Sequence, residues 1–245
     1  MTPELSAELF ASRLYELQSE EERSKITRYF KTDEGDYGHG DEFIGVRMGD
    51  VFKLAKEFVD MPVPQIEHLM ESPIHEVRSG AMSIMDKSAR KKSIPDERRE
   101  ALHDLYLRRI DRINNWDLVD LAAPYVVGGY LYERDRTILY DLARSENLWE
   151  RRTAIVATAY FIRQGDIGDT YRIAEMLIDD DQDLIHKAAG GWVREAGKKD
   201  RARLLAFLDQ HAARMPRTFL RYAMEHLEQE QKEHYRALRK EEPRA

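Results

Sequence analysis

The residue types best suited to chemistry stand together in Asn114-Asn115-Trp116-Asp117-Leu118-Val119-Asp120. Asn114 or Asn115 is a natural helix N-cap, which puts Trp116 and Asp117 in the first helical turn. Asp120 then lies one turn beyond Trp116, so an indole and a carboxylate share one helix face. The pair would present a flat apolar plate and a negative charge to a bound group. A carboxylate among cations makes chemical sense where the target develops positive charge. Breaking the glycosidic bond of a cationic N-alkylated purine is such a reaction: the sugar becomes oxocarbenium-like, and the base leaves without being protonated. The same residues have a structural reading. Asp117 stabilises the helix start through the dipole, Asp120 pairs with a neighbouring arginine, and Trp116 fills the core. Spacing alone leaves both readings open.

The elements that must position this pair read as helices throughout. Hydrophobic residues make up 42% of the 245 residues and charged residues 35%, with few glycines, and prolines mostly where a helix would begin. Pro3 with Leu5, Leu9, Phe10, Leu14 and Leu17 marks a first amphipathic helix, and Ser19 caps a second whose first turn holds Glu20 to Glu22. Residues 32–45 are rich in glycine and acid and read as a loop. A helix follows over about 47–60, ended by Met61-Pro62-Val63-Pro64. Residues 226–245, the part from about 228 above all, read as a charged terminal helix fraying into a tail.

Three segments resemble one another: SPIHEVRSGAMSIMDKSAR from Ser72, NLWERRTAIVATAYFIRQGD from Asn147 and DLIHKAAGGWVREAGKKD from Asp183. In each, a base is followed by small residues, at Arg78, Arg152 and Lys187, and Arg221 continues the series at a period near 36. Two-helix repeats of that length stack into a solenoid whose second helices line one surface. The expected fold is all-α, an α-solenoid of HEAT-like repeats forming one domain over residues 1–245, with a concave basic groove. The unit between Arg78 and Arg152 places its second helix near residue 115, where acids interrupt the bases beside Trp116.

Charge is consistent with this picture only locally. The net charge is −7, but acids crowd the N-terminal third and bases gather later, from Arg144 through Arg221. A phosphate-binding surface needs a local field only. Arg214, Arg217 and Arg221 would fall on one helix face suited to phosphates, or to plain solvation, and Lys198 and Lys199 would complement a helix dipole. The absence of cysteine excludes disulfides and thiolate metal sites. No apolar run is long enough for a membrane span, and the N-terminus is unlike a signal peptide. A cytoplasmic location is expected, associated with the nucleoid when DNA is bound. The histidines, His75, His103, His186 and His211 among them, lack metal-ligand spacing, and no phosphate-cradling glycine loop occurs. Trp149 heads a helix and reads as core.

The strings NNWDLVDLAAP, LWERRTAIVA, DLIHKA with REAGKKD, and LDQHAARMPRTFLRYAME, in this order over about residues 25–227, resemble the AlkD-like DNA alkylation repair family. The resemblance implies HEAT-like repeats and a monofunctional DNA glycosylase that removes N3- and N7-alkylated purines from duplex DNA without base flipping. It implies no metal or cofactor, and double-stranded DNA that contains alkylated bases as the partner; a solenoid wrapping DNA would work as a monomer. It carries the lesion-facing tryptophan onto Trp116, the catalytic carboxylate onto Asp120 and a phosphate-gripping arginine onto Arg152. Tyr29, in RYFK, matches a segment placed near DNA. Lys187, Arg194, Arg217, Arg221 and Arg78 are further DNA-binding candidates. The second family tryptophan falls on Gly191, and Trp192 stands one residue later, turned by about 100° on an ideal helix. Either Trp192 then points away, or Gly190-Gly191 bends the helix and swings it back. Two other functions stay in play. A catalytically inert member recognising distorted or branched DNA would show salt-sensitive binding without base release. A scaffold for an acidic protein would lack DNA affinity.

Overall fold

In the computed structural model, residues 5–30 and 38–238 are described. The chain is all-helical: 71% of it is helix, and among the described residues the only β pairing is the isolated parallel bridge Glu42–Ile74. It folds as two compact units, Met1–Tyr130 and Leu131–Ala245.

The first unit holds α1 (Ala7–Tyr15), α2 (Glu20–Phe30), α3 (Met48–Glu57), α4 (Val63–Met70), α5 (His75–Ala89), α6 (Asp96–Arg108), a short 3-10 turn (Ile110–Arg112) and α7 (Trp116–Ala122). A wide π-helical turn, Ala123–Gly128, follows α7 and leads into α8 (Gly129–Leu131). Local chemistry explains most boundaries. Ser6 caps α1 by accepting from Leu9 N, and Ser19 caps α2 by accepting from Glu22 N, as expected. The start inferred at Pro3 lies outside the described residues, and Leu17 falls beyond α1, where it is exposed. The proline pair read as a helix stop also starts α4, with Pro62 at the N-cap and Pro64 inside the first turn, where a missing N–H costs nothing. Pro95 starts α6 in the same way. Pro124 sits in the wide turn, where the regular hydrogen-bond ladder is already interrupted.

Helix α5 is the centre of this unit, packing on α3, α4 and α7, with nearly every residue from His75 to Ala89 buried. Its Glu76 is fully buried, and its carboxylate accepts from the backbone N–H groups of Ile44 (3.2 Å), Gly45 (2.9 Å) and Val46 (3.3 Å). Three charge-assisted bonds from consecutive donors balance the cost of burying that charge. Gly45 has φ +80°, and a Cβ on it would sit 2.0 Å from the Ser19 carbonyl oxygen and 2.6 Å from Arg23 N. Only glycine lets this loop lie against the start of α2. Through Gly45 and Glu76, α5 therefore fixes where α2 begins.

The second unit holds α9 (Thr137–Ala143), α10 (Leu148–Gln164), α11 (Gly168–Met176), α12 (Asp183–Gly197), α13 (Arg201–His211), α14 (Arg217–Ala223) and α15 (Gln229–Leu238). Asn147 opens α10 as expected, its side chain accepting from Trp149 N. Helix α12 packs on both α10 and α14, and a Cβ on Gly190 would lie 2.5 Å from the Phe219 carbonyl oxygen and 2.8 Å from Tyr222 Cβ. Glycine at 190 is what permits that approach. The charged terminal helix is α15, whose Tyr235 is buried and bonds to Asp209. The tail after Leu238 lies outside the described residues.

Candidate functional site

Asn115 stands at the N-cap of α7 in extended conformation, so Trp116 and Asp117 occupy the first turn. The capping bond itself is not made by either asparagine. Asn115 is fully buried with neither amide atom hydrogen-bonded among the described residues. Asn114 is drawn away, donating to Asp41 (2.9 Å) and accepting from Arg78 (3.1 Å). Asp117 serves the helix start instead: one carboxylate oxygen accepts from Leu118 N at 2.9 Å and the other meets His75 Nε2 at 2.7 Å.

Trp116 is half-buried between two rings of α2. Tyr29 approaches it edge-on at 6.0 Å and Phe30 stacks on it at 5.9 Å. Tyr29 is 65% exposed, unusual for a large aromatic, and so forms an outward wall. A cleft of about 640 Å³ opens here, walled by Ile26, Tyr29, Phe30, Phe52, Trp116 and Leu121. Lys25, Arg47, Glu22 and Asp117 supply its charges. Asp120, the fifth residue of α7, is exposed.

Behind this surface lies a buried charge network that sequence reasoning missed. His75 has no exposed surface and sits between two carboxylates, Nδ1 at 3.3 Å from Asp41 and Nε2 at 2.7 Å from Asp117. Burial alone would lower its pKa, but the bonds to Asp117 and Asp41 outweigh that and hold it at about 9. Both ring nitrogens then donate, as an imidazolium requires. Burial would raise Asp41, yet the His75 bond, the Arg78 charge and the Asn114 amide keep it below its ordinary value. Phe30 and Phe43 pack on the His75 ring at 4.8 and 5.1 Å. The signal present in the sequence was a His-Glu pair flanked by Ile74 and Val77.

Arg78 belongs to this network and not to a surface. It is 3% exposed, donates to Asp41 at 2.6 Å and to Asn114, and reaches back to the carbonyls of Ser72 (2.8 Å) and Pro73 (3.0 Å). Arg151 does the same in α10, reaching Ser145 (2.9 Å) and Glu146 (2.9 Å), with Asp180 in place of Asp41. His186 in α12 reaches the Asp180 carbonyl at 2.6 Å. Each is the fourth residue of its helix, closing on a carbonyl six residues earlier. The series read as Arg78, Arg152 and Lys187 therefore splits in two. The fourth positions are Arg78, Arg151 and His186. The fifth positions are Ser79 in α5, Asp120 in α7, Arg152 in α10, Lys187 in α12 and Arg221 in α14.

The remaining candidates lie in the second unit. Arg152 is 6% exposed and donates to the Leu184 carbonyl at 2.7 Å, tying α10 to α12. Lys187 pairs with Asp183 at 2.7 Å, and Arg194 pairs with Glu195 and Glu225. Arg217 and Arg221 are exposed on α14, Arg221 over the Tyr222 ring. Arg214 lies in the turn before α14, so it does not share their helical face. Lys198 caps α12 and pairs with Glu195, as a dipole-complementing residue would. Helix α12 runs unbroken through Gly190 and Gly191, so no interruption swings Trp192 round. Trp192 is half-buried, and the Cβ direction of Gly191 meets nothing within 4 Å.

Residues 10–227 match the model of the family described as DNA alkylation repair enzyme. A solved structure titled "Predicted DNA alkylation repair enzyme from Enterococcus faecalis" is similar in fold, with a TM-score of 0.67 at 17% identity, over 86% of this chain and 97% of that one. No curated protein matches.

Proposed function

The chain belongs to the DNA alkylation repair enzyme family, and on that premise we propose that it is a monofunctional DNA glycosylase. Its substrates would be cationic N3- and N7-alkylated purines in duplex DNA, removed without base flipping by a fold of HEAT-like helix pairs. The observation that carries this reading is the exposed Asp120 one turn from the half-buried, ring-flanked Trp116. It stands at the helix position where α10, α12 and α14 carry Arg152, Lys187 and Arg221. Cations at that position suit phosphates; a carboxylate at the same position suits a cation.

In the proposed reaction the C1′–N bond breaks with its electron pair going to the alkylated base, which leaves neutral. Asp120 stabilises the oxocarbenium-like sugar from one side while Trp116 lies against the deoxyribose. Water adds to C1′ and loses its proton to Asp120 or to solvent, giving an abasic site and the free base. Lys187, Arg194, Arg217 and Arg221 contact phosphates, with counterion release making binding salt-dependent. Arg152 exchanges its Leu184 carbonyl for a phosphate oxygen, a stronger, charge-assisted acceptor. Tyr29 borders the bound strand, and Arg78 supports the site from behind.

The test is release of 7-methylguanine and 3-methyladenine from methylated duplex DNA. Asp120→Asn should keep DNA affinity and lose release by on the order of 10²-fold or more, as when one transition-state electrostatic contact is removed. Undiminished release by that variant would remove Asp120 from the mechanism. The open space at Gly191 favours one other reading, a member that binds distorted or branched DNA without excision. Salt-sensitive binding with no base release by the wild type would establish it.

A further inference from the structure

We propose that His75 is a positioning residue for the reaction at α7: as an imidazolium clamped between Asp41 and Asp117, it sets the orientation of the turn that carries Trp116 and Asp120. This inference rests on the glycosylase reading for its catalytic arm and on geometry alone for its structural arm.

Four separate segments meet at this ring. His75 is the first residue of α5, and its own N–H donates to the Glu42 carbonyl at 2.8 Å. Its Nδ1 faces Asp41 in the loop before α3, and its Nε2 faces Asp117 in the first turn of α7. Phe30 of α2 lies on the imidazole at 4.8 Å and on the Trp116 indole at 5.9 Å, so one phenyl ring contacts both. The charged groups around His75 are Asp41, Asp117 and Arg78, the last held to Asp41 at 2.6 Å.

The connection to Asp120 is short and stiff. Asp117 and Asp120 are three residues apart on one helix, so they stand on adjacent turns of the same side. With neither asparagine capping, the Asp117 carboxylate accepts from Leu118 N of its own helix and ties the first turn of α7 to α5 through His75, beside the ring contacts of Trp116 with α2. A neutral imidazole has one N–H and can donate to only one of the two carboxylates. Loss of the ring proton would therefore break the bond to Asp117 or the bond to Asp41, removing one tie of α7 or of the Asp41 loop. Displacement of a reacting group by about 1 Å can cost on the order of 10²-fold in rate.

His75→Gln and His75→Arg test this. In single-turnover base release, His75→Gln should slow excision by on the order of 10²-fold while DNA affinity stays within about twofold, the signature of a lost alignment. His75→Arg keeps a cation with several donors and should recover much of the rate. In the wild type, the Trp116 indole N–H resonance, assigned by its loss in Trp116→Phe, should shift as the His75 ring titrates near pH 9. That shift should be absent in both variants. Excision by His75→Gln at the wild-type rate and pH profile would overturn the proposal and leave the glycosylase reading intact. If the wild type releases no base, the glycosylase reading fails, and the indole titration alone decides: a resonance indifferent to His75 overturns the clamp. If His75→Gln does not fold, His75→Arg and the wild-type titration decide in the same way.

Discussion

Replacing Gly190 or Gly191 by alanine, one methyl group at adjacent positions of α12, is expected to move stability in opposite directions. In a helix interior, alanine is favoured over glycine by roughly 0.5–1 kcal/mol, because glycine loses more backbone entropy on folding. At Gly191 nothing lies within 4 Å of the added Cβ, so that gain is realised whole. At Gly190 the same methyl would stand 2.5 Å from the Phe219 carbonyl oxygen and 2.8 Å from Tyr222 Cβ. The first is backbone and cannot swing aside, so α12 and α14 must separate. Overpacking of this kind costs about 1–3 kcal/mol, which outweighs the propensity gain. Urea denaturation followed by circular dichroism reads both. With a slope of about 1–3 kcal/mol/M, Gly191→Ala should raise the midpoint by a few tenths of a molar and Gly190→Ala should lower it by more. A Gly190→Ala protein as stable as the wild type would refute the close approach of α12 and α14. A destabilised Gly191→Ala would show that this position faces packed atoms, and with it the reading of Gly191 as a gap would fall.

Two further predictions concern the first unit. Glu76→Ala leaves the N–H groups of Ile44, Gly45 and Val46 without their acceptor, and at about 1–3 kcal/mol for each unsatisfied buried donor the loss should be at least about 3 kcal/mol; a change below about 1 kcal/mol in the same denaturation assay would show that the loop finds other acceptors. Stability should also depend on pH through His75: its contribution is complete below about 6.5 and is lost as pH rises through about 9, because the folded state holds the proton more tightly. That rise corresponds to roughly 3 kcal/mol as an upper figure, and the alkaline limb should flatten in His75→Gln; an unchanged limb would place the titration elsewhere. Asp41, held low, acts in the opposite sense and loses its contribution as pH falls below the ordinary carboxylate range.

Much of this architecture could be read from local chemistry. Ser19 and Asn147 mark helix starts because capping acts within a few residues, and Pro62 and Pro64, read as a helix stop, also open α4 because a missing N–H is tolerated there. The position of Asn115 was legible for the same reason. What its side chain does was not, because burial is decided by distant segments. The base series shows the limit most clearly. A period near 36 is visible in one dimension, but one residue of register turns a side chain by about 100°. That turn separates Arg78 and Arg151, which reach back to carbonyls, from Arg152, Lys187 and Arg221 at the next position. Residues 32–45 read only as a loop rich in glycine and acid. Asp41 is in fact paired with His75 and Arg78, more than thirty residues away, and no local pattern announces such a partner.

Helix α7 has seven residues, too few to persist in water by its own hydrogen bonds. Its order is lent by α5, by the Asp41 loop and by the rings of α2. The order of Trp116 and Asp120 is thus a shared property of residues that take no part in bond breaking. A mutational map drawn from lost activity alone would spread well beyond the reacting groups, through His75 and Glu76 to Gly45. Amide exchange in α7 would report the same losses without any substrate present, because a borrowed helix opens whenever a lender is removed.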